Sequence, residues 1–147
     1  MKEHKLYNVM FPIWFFFLFS AVWLIIISVN FVVDSIVIIL SLKYLKYPKP
    51  LEIWKAKILP VWLLGFLADV LGALVVVGLY TGLCEFFPAL GSYLVFFPGT
   101  CLVAMPGVAL AGVLIYYFNR KITFRNGFLE PDAVHRVCLH LALFTAP

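Results

Sequence analysis

Apolar positions along this chain form runs too long and too unbroken to be the stripes of soluble helices. From Phe11 to Leu42, 32 residues, the one charged side chain is Asp34. A single helix of that length would reach about 48 Å, against a hydrocarbon core of about 30 Å. Lys2 and Lys5 precede the run, and Lys43, Lys46, Lys49, Lys55 and Lys57 follow it. One crossing would therefore strand basic residues on both sides of a membrane, against the cationic bias of the cytoplasmic face. The pattern predicts a tight hairpin instead: a helix over about 9–28, a turn near Val29 to Phe31, and a second helix over about 31–47. Asn30 suits the turn as an N-cap, and Asp34 then falls in the opening turn of the second helix, at the positive end of its dipole. The apolar part of that helix is short, so Lys43 and Lys46 must snorkel beside Tyr44 and Tyr47 for it to span.

Tyr47 to Lys57 holds two prolines and alternating charge, and reads as a connection. A third span follows over about 58–80, with Pro60 in its first turn and Trp54 and Trp62 near the boundary. No Lys or Arg occurs between Lys57 and Arg120, so Thr81 to about Ser92 belongs on the far side. A fourth span over about 95–118 returns to Arg120, Lys121 and Arg125. All eleven basic residues then share one side, which makes both termini cytoplasmic. The N-terminal run is too long and bulky for a cleaved signal peptide and reads as an uncleaved helix that directs insertion.

Composition agrees with the pattern. The 147 residues are 65% hydrophobic and 12% charged, too few charges to solvate a soluble core. The expectation is an all-α integral membrane protein, a single polytopic domain over 1–147 built as a four-helix transmembrane bundle. Its cytoplasmic tail, 119–147, turns at Asn126-Gly127, and Pro131 starts a helix there. That helix is either amphipathic, on the interface or under the bundle, or a truncated fifth span.

Asp69, central in the third span, is the most informative residue. An ionised carboxylate at the bilayer centre costs about 2.5–3.5 kcal/mol on insertion scales, so it faces protein, water or a cation rather than lipid. It is the leading candidate for an ion or proton site, with Asp34 the nearest second acid. The simpler alternative is a hydrogen bond to a neighbouring helix. Small residues cluster around it: Gly65, Ala68 and Gly72, then a Gly78/Gly82 pair, with Gly107 and Ala111 on the fourth span. Such faces pack helices closely, within one chain or against another. Two Phe-Phe-Pro triplets, at Phe86-Phe87-Pro88 and Phe96-Phe97-Pro98, are too apolar for a free loop and predict an interfacial or re-entrant segment.

Other chemistry is sparse. Cys84 and Cys101 fall near the outer edge, but depth argues against a disulfide. His135, Cys138 and His140 do not share one helix face, so no metal is expected. Phosphate loops and hydrolase or zincin motifs are missing from the sequence, which predicts no catalytic residues and no cofactor. The net charge of +4 comes from clusters at the membrane edge, which suits anionic lipid and not nucleic acid. The sequence is read first as a non-enzymatic subunit or scaffold of a membrane complex. Its partners are then the lipid bilayer and either a second copy or another membrane protein. A small oligomeric ion- or proton-coupled transporter or channel using Asp69 is the alternative. Compact loops fit a bacterial plasma membrane.

Overall fold

The computed structural model describes residues 21–147 apart from 95, 97, 126 and 128. Among them the chain is helical, with no strand, and three helices are long and apolar enough to cross a membrane. Helix α1 covers Ala21–Tyr44 and α2 covers Pro50–Phe86. A short α3, Pro88–Leu94, leads to α4, Gly99–Phe118. A π-helical segment, Asn119–Thr123, and a final helix α5, Pro131–Phe144, complete the fold.

The hairpin is the main correction. Helix α1 runs unbroken through Val29, Asn30 and Phe31, so Asn30 is not an N-cap and Asp34 does not open a helix. Neither glycine nor proline occurs in this stretch, and a break inside lipid would leave N–H and C=O groups unpaired. The serines that could have competed for the backbone reinforce it instead: Ser28 Oγ donates to Leu24 O at 2.7 Å, and Ser35 Oγ to Phe31 O at 2.7 Å. The expected first helix over 9–28 keeps only its last eight residues inside the described part, and those belong to α1. With the turn gone, the side on which Lys2 and Lys5 lie falls outside the described residues.

The connection to α2 is also shorter than expected. Lys46 and Lys49 take left-handed conformations, φ 54° and 58°, and reverse the chain around Tyr47 and Pro48. Pro50 then sits in the first turn of α2, where its missing N–H is not needed. The helix continues through Pro60, ten residues beyond Pro50, so Pro60 is interior and not in a first turn. At the other end α2 extends to Phe86, past the predicted limit at Tyr80. Its 37 residues span about 55 Å at 1.5 Å each, more than the hydrocarbon core.

The Phe-Phe-Pro segment folds back on α2. Pro88 opens α3 and Gly91 lies against Cys84, with a hypothetical Cβ only 2.7 Å from its Sγ. Helix α4 begins at Gly99, four residues later than predicted, where Gly99 packs against Leu94. Phe86, Phe87 and Phe96 are exposed, as an interfacial segment requires.

Helix α2 is flanked by α1 and, more extensively, by α4, while α5 packs against both α1 and α4. The tail helix, expected on the interface, under the bundle or as a truncated fifth span, packs alongside α1 and α4. Helix α5 runs antiparallel to α1, from Glu130 N–H donating to Tyr47 Oη at 2.8 Å, past His140 beside Ser41, to Thr145 beside Asp34. Its buried residues Ala133, Val134, Val137, Cys138 and Leu141 form one stripe at spacings of three and four. They meet Ile38 and Leu42 of α1, Ile58 and Val61 of α2, and Ile115 of α4 in the core. Outward faces are apolar: Leu24, Val32, Ile36 and Leu40 of α1 and Leu63, Leu67, Val70 and Leu74 of α2 are exposed. Polar side chains turn inward, since Asp34, Ser41, Lys57, Asn119 and Thr123 are buried. This inversion is the arrangement a lipid solvent favours.

Candidate functional site

The candidate site lies where α1 and α2 cross near the middle of their apolar lengths. Asp34 on α1 is 6% exposed and points at Gly65 of α2. Its Oδ2 is 3.7 Å from the position a Cβ on Gly65 would occupy. A Cβ there would be in ordinary van der Waals contact with the carboxylate. Asp69, one turn beyond Gly65 on α2, reaches the same place. Asn30, one turn before Asp34 on α1, supplies an amide. A cavity of about 20 Å³ lies between them, lined by these residues with Trp62, Phe66 and Thr145. That is room for about one water or small ion.

Thr145 comes from the end of α5. Its hydroxyl donates to Leu141 O at 2.8 Å, and its N–H donates to the same carbonyl at 2.9 Å. The C-terminal, negative end of the α5 dipole therefore approaches two carboxylates. No Lys, Arg or His lines the cavity among the described residues. Asp69 Oδ1 is buried with no hydrogen-bond partner among the described residues, as is Trp62 Nε1. Two acids, a helix C-terminus and an unpaired acceptor together make a strongly electronegative pocket that a proton or cation would stabilise.

The cavity opens into a larger groove of about 570 Å³ that shares Asn30, Phe66, Asp69 and Thr145. The groove is bounded by α1, α2 and α4, and Thr145 and Pro147 also line it. Its floor is the crossing of α2 and α4. There a Cβ on Gly72 would lie 2.6 Å from Gly107 O and 3.1 Å from the Ala111 Cβ, and one on Gly107 would strike Val76. Ala68 and Ala111 are fully buried at the same contact. Gly65, Ala68, Gly72, Gly107 and Ala111 thus sit at helix contacts, whereas Gly78 and Gly82 have nothing within 4 Å among the described residues.

Sequence reasoning missed two polar contacts made by α5. Ser41 Oγ and His140 Nδ1 are hydrogen-bonded at 2.9 Å, beside the Tyr44 ring. Tyr116 Oη accepts from Arg120 Nη1 at 2.6 Å and bonds His135 Nδ1 at 2.8 Å. The partners are 99 and 19 residues apart, so no local spacing announces them. The His-x-x-Cys-x-His pattern is therefore divided, with one histidine turned to α4 and the other to α1. Cys138 between them is fully buried. Burial pushes its thiol up to about 12, a shift only partly offset by the charge of Arg120. Cys84 and Cys101 are both free thiols. At the basic end, Lys57 is buried and its Nζ donates to Thr123 O at 2.7 Å, which ties α2 to the π-helical segment.

Comparison with protein-family models, curated proteins and solved structures finds no match.

Proposed function

We propose that this chain is a small multi-pass membrane protein that binds a proton or small cation at Asp69 and Asp34, as part of an ion- or proton-coupled transporter or channel. One observation carries the reading: two acids from different helices converge on one water-sized cavity at membrane depth, with no basic side chain among its lining residues. Two carboxylates in a low-dielectric setting repel each other and lose hydration, so a bound proton or cation is the natural way to neutralise them. Asn30 and Thr145 offer neutral oxygens of the kind that coordinate hard cations. The basic end of the bundle, with Lys43, Lys46, Lys49 and Arg120, faces the cytoplasm under the positive-inside rule. A bacterial plasma membrane fits the compact loops.

The test is flux into proteoliposomes under an imposed proton or sodium gradient. Asp69→Asn should reduce flux at least tenfold while the purified protein keeps its elution volume and helicity. Undiminished flux in that variant would remove Asp69 from the mechanism.

A second reading, a subunit or scaffold of a larger membrane complex, is favoured by the Gly78/Gly82 pair, which has nothing within 4 Å among the described residues. Small residues at that spacing suit close approach by another helix. The mass of the purified particle separates a lone chain from an assembly.

A further inference from the structure

The groove beside Asp69 is larger and more apolar than an inorganic cation needs. Its walls include Ile26 of α1, Phe66 and Val76 of α2 and Val108 of α4, and its volume of about 570 Å³ lies in the range of small-molecule sites. It is polar at one end only, where Asn30, Asp69 and Thr145 are shared with the acidic cavity. Groove and cavity thus form one site with an apolar body and an anionic end. Among the described residues no Lys, Arg or His lines either part.

We propose that this site binds a lipophilic monocation, an amphiphilic amine or onium ion, with its charge at Asp69 and its apolar body in the groove. Charge complementarity decides the class. A lipid acyl chain would fit the walls but leave the carboxylates unanswered, and a bare metal ion would answer them but leave the groove unused. An anionic amphiphile meets two acids and the negative end of α5. A lipophilic cation satisfies both parts and also has a route, because such ions concentrate in the membrane onto which the groove opens. The inference rests on the reading of Asp34 and Asp69 as a cation- or proton-binding pair and adds the nature of the larger ligand.

The experiment is equilibrium dialysis of the full chain, in nanodiscs of neutral phosphatidylcholine, against tetraphenylphosphonium and, separately, tetraphenylborate. These ions share size and shape and differ in the sign of charge. The expected result is saturable binding of about one tetraphenylphosphonium per chain and only non-saturable partition of tetraphenylborate. Asp69→Asn should weaken binding at least tenfold. Ala73→Trp, which fills the groove and leaves both carboxylates in place, should do the same, so the proposal remains testable if Asp69→Asn does not fold. Equal uptake of both ions, or saturable binding that neither variant changes, would overturn it. Absence of tetraphenylphosphonium binding alongside Asp69-dependent flux would overturn this inference alone. Absence of both would overturn the underlying reading as well.

Discussion

A glycine matters in this protein according to what stands opposite it. Gly72 and Gly107 meet backbone to backbone, and any Cβ on Gly72 would come within 2.6 Å of Gly107 O. The carbonyl belongs to a helix and cannot rotate away, so Gly72→Ala must push α2 and α4 apart. The expected loss is about 1–3 kcal/mol, the usual cost of overpacking. Gly78 lies on the same helix in open space. There the same substitution should be neutral or stabilise by up to about 1 kcal/mol, because alanine is the better helix former. Thermal unfolding midpoints of the two variants in detergent check the contrast, and equal losses would contradict the crossing point. The sequence showed both glycines as members of small-residue faces. It could not separate them, since the difference lies in the neighbouring helix. Asp34 shows the same limit. The expected turn at Asn30 placed it in the opening turn of a helix, whereas α1 is continuous there and brings it to the crossing with Gly65, which is distant in sequence.

Among the elements, α5 is held to its neighbours by side chains as well as by its apolar stripe. Ser41→Ala removes the hydroxyl without adding bulk at a buried position, leaving His140 Nδ1 without its 2.9 Å partner. The expected loss is about 1 kcal/mol, localised to the docking of α5. Amide exchange measured by mass spectrometry should quicken over residues 131–144 and stay unchanged in α4; a uniform change would show that α5 is not a separable unit. The start of α5 at Pro131 and its amphipathic stripe were readable from local signals. Its position between α1 and α4 was not, because the contacts with Ser41 and Tyr116 are long in sequence. Helix α1 failed in the opposite direction. The charge argument for a turn near Asn30 was sound in form, but lipid penalises a broken helix more than it rewards a favourable cap.

For the whole molecule, the arrangement of basic ends makes a simple prediction. In a cysteine-free background, a single cysteine at Glu85 should react with a membrane-impermeant maleimide in intact cells, and one at Lys49 only after permeabilisation. Reaction at Lys49 from outside would reverse the proposed orientation. The sequence by itself determined that the chain is helical and apolar enough for a membrane, and it located two of the three helices long enough to cross, α2 and α4, while dividing α1 between two expected helices. It also determined that Asp69 is an anomaly there, because hydrophobic run length, charge position and the cost of a membrane carboxylate are all local quantities. Only the tertiary structure decided that α1 continues through Asn30 and that α5 packs between α1 and α4. It also decided that Asp34 comes to face Asp69. Those outcomes depend on which surfaces meet, and in a membrane nearly every outward face is equally apolar. Hydropathy therefore cannot choose among packings. The choice is made by close contact at glycines and by the few polar groups that must find one another.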